Sequence, residues 1–68
     1  MDTLGEALPR EMARVRDEVM PQYLAIGEAG SFAVAFMRAD LDRATKALAV
    51  GDVVAMMRAY ESLKGYEV

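Results

Sequence analysis

The side chains of this sequence that could take part in catalysis are carboxylates and hydroxyls. The acidic residues considered for such a role are Glu11, Asp17, Glu18, Asp40 and Asp42. Paired carboxylates can exchange protons or bind a divalent cation, but Asp17 and Glu18 are neighbours in sequence and point about 100° apart on a helix. Ser31 and Ser62 have no base to activate them, because the sequence contains no His. We therefore expect no catalytic residue, no metal site and no cofactor.

The basic side chains do not give this sequence the excess positive charge that is typical of a nucleic-acid-binding protein. Eight Lys and Arg stand against eleven Asp and Glu, which gives a net charge of −3. Such a chain lacks the excess positive charge that provides most non-specific affinity for phosphates. Helical spacing pairs Arg14 with Glu18, and Arg43 with Asp40 or Asp42. We expect solvated ion pairs, and we keep as the alternative function a small dimeric nucleic-acid-binding regulator that uses a two-fold surface of Arg side chains.

The length of 68 residues allows one domain, residues 1–68, with a core of marginal size. Without Cys or His, neither a disulfide nor a zinc site can reinforce it. We therefore expect self-association to supply the missing stability. The acidic start at Met1 and Asp2 and the absence of an apolar stretch of membrane-spanning length predict a cytoplasmic protein with no membrane partner.

Hydrophobic residues recur every three or four positions, which predicts an all-α fold. The first helix is predicted over about 9–26, with this apolar stripe: Leu8, Met12, Val15, Val19, Tyr23 and Ile26. Thr3 and Glu6 match a capping box that could start the helix a turn or more earlier, whereas Pro9 is better suited to a first helical position than to an interior one. Pro21 predicts a kink near Asp17 or, alternatively, a break near Val19.

The second and third helices are predicted to form an antiparallel hairpin. Helix 2 should run over about 32–50, after a cap at Gly30 or Ser31, and helix 3 over about 53–64. Gly51 and Asp52 end one helix and cap the next, and so short a joint makes the two helices neighbours. The expected fold is therefore two or three helices in a hairpin or bundle, completed by homodimerisation.

Helix 2 has apolar residues on two faces. The seam of the hairpin is predicted to contain Val34, Met37, Leu41, Ala44 and Leu48. The second face contains Phe32, Phe36, Ala39, Ala47 and Val50. Helix 3 would cover one face and helix 1 the other, which would leave unpaired apolar flanks and favours a dimer with a two-fold axis.

Five residues are predicted to form a dimer interface or a contact with another protein: Met20, Phe32, Phe36, Arg43 and Met56. Whether Phe32 and Phe36 pack within the chain and its dimer or bind a foreign partner stays open. The other internal methionines, Met12, Met37 and Met57, are expected to fill the core, because the flexible thioether suits irregular gaps.

Three segments carry a resemblance to a known group of proteins. They are YLAIGEAGSF at Tyr23–Phe32, MRADL at Met37–Leu41 and GDVVAMMRAY at Gly51–Tyr60. Together they resemble small accessory proteins of Mu-like temperate phages and prophages, which act by binding host regulators. One kind is a helical quorum-sensing anti-activator that binds a LuxR-type transcription factor and also blocks a pilus-assembly ATPase. The resemblance implies a host-directed inhibitor acting in the host cytoplasm, and it transfers no binding residue.

Overall fold

The first part of the chain forms one continuous helical arm. The structure is a computed structural model that describes residues 3–67, so the predicted acidic start at Met1 and Asp2 lies outside the described residues. The arm consists of helix α1 (Leu4–Arg14), a π-helical turn (Val15–Val19) and helix α2 (Met20–Ala25). Its start at Leu4 is earlier than the predicted start near residue 9 and agrees with the alternative of a start a turn or more earlier.

Helix α1 can begin before Pro9 because a proline in its second turn removes only one backbone hydrogen bond. The carbonyl of Thr3 accepts hydrogen bonds from the amides of Glu6 (3.1 Å) and Ala7 (2.8 Å), while the Thr3 side chain makes no capping bond. Pro9 has no N–H to donate to the carbonyl of Gly5. Since Gly5 is exposed, water can replace that partner.

The π-helical turn accommodates Pro21 without ending the arm. The amide of Met20 donates to the carbonyl of Val15, five residues back, and the turn includes Asp17, where the sequence predicts a kink. Pro21 could not have donated to Asp17 in a regular helix, and a π turn is a common way to absorb such a misfit. The helix therefore continues to Ala25, and the alternative break near Val19 does not occur.

A tight turn then brings the chain back against the arm. Residues Gly27–Gly30 form a single 3₁₀ turn in which Gly27 adopts a positive φ of 66°. Gly30 lies directly against helix α2, because a Cβ atom built there would be 2.2 Å from the carbonyl oxygen of Tyr23. Ser31 is the first residue of the next helix, and its hydroxyl donates to the carbonyl of Glu28 (2.9 Å).

Helices α3 (Ser31–Val50) and α4 (Val53–Lys64) form the predicted antiparallel hairpin. Gly51 has a left-handed φ of 69°, and the amide of Asp52 donates to the carbonyl of Ala47 (3.1 Å) to close the end of α3. The Asp52 carboxylate accepts the amide of Ala55 (3.1 Å) and caps α4. The predicted roles of Gly51 and Asp52 are thus confirmed.

The arm packs across both helices of the hairpin, and the core lies where the three meet. The buried apolar residues are Leu8, Val15, Val19, Met20, Val34, Met37, Ala44, Ala47, Met56, Ala59 and Leu63. The fold is all-α, with no strand among residues 3–67. Within the same residues, no helix combines the length and the apolar character that crossing a membrane requires.

Three methionines lie where the sequence did not predict them. Met20 and Met56, predicted as contacts with another chain, are each 7% exposed and fill the core, whereas Met57, predicted as core, is 55% exposed. The π turn adds about one residue to the arm and so turns Met20 inward. In α4 the buried stripe runs through Met56, Ala59 and Leu63, and Met57 lies off that stripe.

Candidate interaction surface

One face of α3 is not covered by any other element within residues 3–67. The residues on this face are spaced alternately four and three positions apart. We call it the outer face, and it consists of Phe32, Phe36, Ala39, Arg43, Lys46 and Val50. Phe32 is 79% exposed, Phe36 62% and Val50 77%. Such spacing is that of a coiled-coil seam, which in other proteins is covered by another helix.

The two phenylalanines are exposed because they lie on the side of α3 away from its buried residues and past the end of α4. Helix α3 has 20 residues and α4 has 12, so about 12 Å of α3 extends past its neighbour. The chain after α4 meets α3 at Asp40, whose carboxylate accepts the Tyr66 hydroxyl. Phe32 and Phe36 lie beyond that point. The expectation that helix 1 would cover them is wrong, because the arm packs on the other side of the hairpin.

A groove of about 500 Å³ opens between α3 and α4 at the opposite end of the outer face. Its floor is made of small residues, Ala47, Ala55 and Ala59, which let the two helices approach closely. The remaining lining residues are Arg43, Lys46, Val50, Asp52, Val54, Arg58 and Ser62. Three of the chain's eight basic residues therefore line this groove, against a single acidic residue whose carboxylate already caps α4.

A buried carboxylate holds Arg43 at the middle of the outer face. Asp40 is 6% exposed, and its two oxygens accept the Arg43 guanidinium and the Tyr66 hydroxyl, the latter at 2.6 Å. The predicted pair of Arg43 with Asp40 forms, but Asp40 is not the solvated acid that was expected. Nothing in the local sequence identifies Tyr66 as the second donor, because a hydrogen bond between positions 26 residues apart leaves no local pattern.

The Tyr66 hydroxyl should stabilise the fold in a pH-dependent way. Burial first, and then the hydrogen bond to Asp40, raise the pKa of Tyr66 to about 12, while Arg43 opposes the rise. The ordinary pKa of tyrosine is about 10, so the folded state keeps a proton that the unfolded state loses. This contribution is complete below pH 10 and disappears as the pH rises through about 12.

We expect Tyr66→Phe to lower the free energy of unfolding by about 1–2 kcal/mol at neutral pH, because Asp40 loses a donor. Urea unfolding followed by circular dichroism between pH 7 and pH 12 tests this. The stability of the unmodified chain should fall more steeply above pH 10 than that of the variant. Parallel pH profiles for the two proteins would show that the hydroxyl plays no such role.

The end of the chain is also held by the arm. The Arg14 guanidinium donates to the carbonyl of Leu63 (3.1 Å), and the Tyr23 hydroxyl donates to the carbonyl of Glu67 (2.9 Å). Arg14 forms its ion pair with Glu11 (2.9 Å) and not with the predicted partner Glu18. The hydrogen bond to Glu11 makes the largest contribution to raising the pKa of Arg14 above its ordinary value.

Of the five predicted contact residues, the structure brings three together on the outer face and places two elsewhere. Phe32, Phe36 and Arg43 lie along one side of α3, while Met20 and Met56 are buried. No cluster of three acidic side chains suited to a metal ion occurs within residues 3–67. Comparison of the chain with family models, curated proteins and solved structures gave no match.

Proposed function

We propose that this chain is a non-enzymatic protein-binding module that acts by occupying a surface of its partner. The observation that supports the proposal is the outer face of α3, which presents two large aromatic side chains to solvent. Burying one such side chain is worth about 1.5–3 kcal/mol. Aromatic and arginine side chains are also the types that dominate binding energy at protein interfaces.

The inventory of side chains supports a binding role over catalysis. With no His and no Cys, the chain lacks the usual general base, thiol nucleophile and soft metal ligands. Asp40 is occupied by Arg43 and Tyr66, and Asp42 pairs with Lys46 at 2.9 Å.

The resemblance of three segments to accessory proteins of Mu-like phages suggests the class of partner. On that basis we propose a phage- or prophage-encoded inhibitor that acts in the host cytoplasm on a regulatory protein. A LuxR-type quorum-sensing transcription factor or a pilus-assembly ATPase is the candidate target. The absence of cysteine suits a reducing cytoplasm.

The nucleic-acid alternative is weakened by ion pairing. Arg16 pairs with Asp17 at 2.8 Å and lowers the pKa of that carboxyl by hydrogen bonding. Arg43 and Lys46 on the outer face also have carboxylate partners. Cations already neutralised by neighbours release few counterions from phosphates.

The proposal is tested by affinity purification from the native cell with three baits: the unmodified chain, Phe36→Asp and Val53→Asp. Val53 is a matched control, because it is 60% exposed and does not line the groove. We expect a stoichiometric protein that is retained by the unmodified chain and by Val53→Asp and is lost with Phe36→Asp. Recovery of nucleic acid instead, or of the same proteins with all three baits, would contradict the proposal.

A further inference from the structure

The outer face of α3 carries two features that complement each other. At one end, Phe32 and Phe36 project into solvent; at the other end, the groove between α3 and α4 is open. Phe32 and Val50 are about 27 Å apart along the helix. If two identical chains pack with these faces together and with α3 antiparallel, the phenylalanines of each copy lie at the groove of the other copy.

We propose that the outer face is a two-fold antiparallel interface with a second copy of this chain, in which Phe32 and Phe36 of each copy close the groove of the other. This inference rests on the proposed function, since it names the first partner of the same face. The two-fold axis passes near Leu41. Phe32 then lies opposite Val50 of the second copy, and Phe36 lies opposite Lys46 and next to Ala47 of the second copy, at the groove.

The angular positions around α3 agree with this register. At about 100° per residue, Phe36 and Ala47 lie about 40° and 60° from Phe32, on the edge of the outer face that borders α4. A two-fold axis perpendicular to both helices places the edge that borders α4 in one copy next to the edge that borders α4 in the other copy. Each Phe36 ring is thereby directed at the small residues on the groove floor and not away from them.

The residues that meet across the interface distinguish the antiparallel pair from a parallel one. In a parallel pair Arg43 would face Arg43 and Lys46 would face Lys46, while both grooves stayed empty. In the antiparallel pair Arg43 faces Ala39, and Lys46 faces Phe36 of the second copy. The Lys46 ammonium is paired with Asp42, so the aliphatic stem of Lys46 is the part that packs against the Phe36 ring. Ala39 lets the two helices approach closely near the axis.

The size of the surface suits a specific dimer. The outer face is about 30 Å long and about 10 Å wide, and beside the 12 residues of α4 the groove widens the surface to about 20 Å over about 18 Å. Each copy therefore buries about 500 Å², or about 1,000 Å² in total, which is the smallest area expected of a specific interface. The same contact covers the largest exposed apolar side chains of α3.

Because the chain has no Cys, single engineered cysteines report the arrangement without background. Ala35 and Lys46 are both exposed, and their Cα atoms lie on the edge of the outer face away from α4, while the long Lys46 side chain also borders the groove. In the antiparallel register they are neighbours across the interface, whereas two copies of residue 35 are about 18 Å apart. In a parallel pair the two copies of residue 35 are level with each other along the helices instead, and residue 35 is far from residue 46.

The experiment mixes equal amounts of Ala35→Cys and Lys46→Cys, oxidises the mixture mildly and identifies the disulfides by mass spectrometry. We expect the 35–46 cross-link to exceed both homodimeric cross-links at least tenfold, and to disappear when Phe36→Asp is added to both chains. Val53→Asp added to both chains should leave it unchanged. A predominant 35–35 cross-link, or none above the level of Phe36→Asp, overturns the proposal.

The result also separates this inference from the proposed function. If the cross-link is absent while the cellular protein is still lost with Phe36→Asp, the face binds a foreign protein and the two-fold interface is wrong. If the cross-link forms but no cellular protein depends on Phe36, the interface stands and the proposed function fails.

Discussion

Replacing Gly30 by alanine is expected to remove about 3 kcal/mol of stability. The new Cβ atom would lie 2.2 Å from the carbonyl oxygen of Tyr23 and 2.9 Å from its carbonyl carbon. Backbone atoms cannot move aside as a flexible side chain does, so helices α2 and α3 must separate. The φ of −96° and ψ of −2° at Gly30 are accessible to alanine, and the cost is therefore steric. A chain of this length has only about 3–10 kcal/mol to lose.

The matched control is Gly5→Ala. A Cβ atom at Gly5 would have its nearest neighbour at 3.8 Å, so alanine fits there and should add up to about 1 kcal/mol as a better helix former. Urea unfolding followed by circular dichroism should therefore move the two midpoints in opposite directions. A Gly30→Ala midpoint equal to that of the unmodified chain would show that the turn does not pack as described.

Adjacent methionines should respond very differently to the same substitution. Met56→Ala removes a side chain that is 7% exposed and should cost about 2–4 kcal/mol through lost burial and a cavity. Met57→Ala changes a side chain that is 55% exposed and should shift stability by no more than about 0.5 kcal/mol. Both positions lie within α4, so the change in helix propensity is the same. Equal urea midpoints for the two variants would contradict the packing of α4.

Local chemistry made much of the fold predictable. Gly51 supplies a left-handed residue and Asp52 a side-chain acceptor, and both act within a few residues of their partners. The hairpin of α3 and α4 followed directly from that joint. The π turn was not predictable in the same way, because a proline misfit can be absorbed by a kink, a break or an inserted residue, and packing of the whole arm selects among them.

The candidate surface was only partly predictable for a related reason. Phe32 and Phe36 were assigned to a second apolar face of α3 from periodicity alone. Their exposure depends on the difference in length between α3 and α4 and on where the arm crosses the hairpin. The pairing of Asp40 with Tyr66 joins positions 26 residues apart. A single sequence contains no signal for that contact.

Sedimentation equilibrium of the unmodified chain is the most direct test of the claim that the outer face of α3 is an interface. At micromolar concentration we expect a mass of twice the 7.5 kDa of one chain. Phe36→Asp should sediment as a single chain with unchanged helical content, because Phe36 is 62% exposed and contributes little to the core. A single-chain mass for the unmodified protein at 100 µM would contradict the two-fold interface.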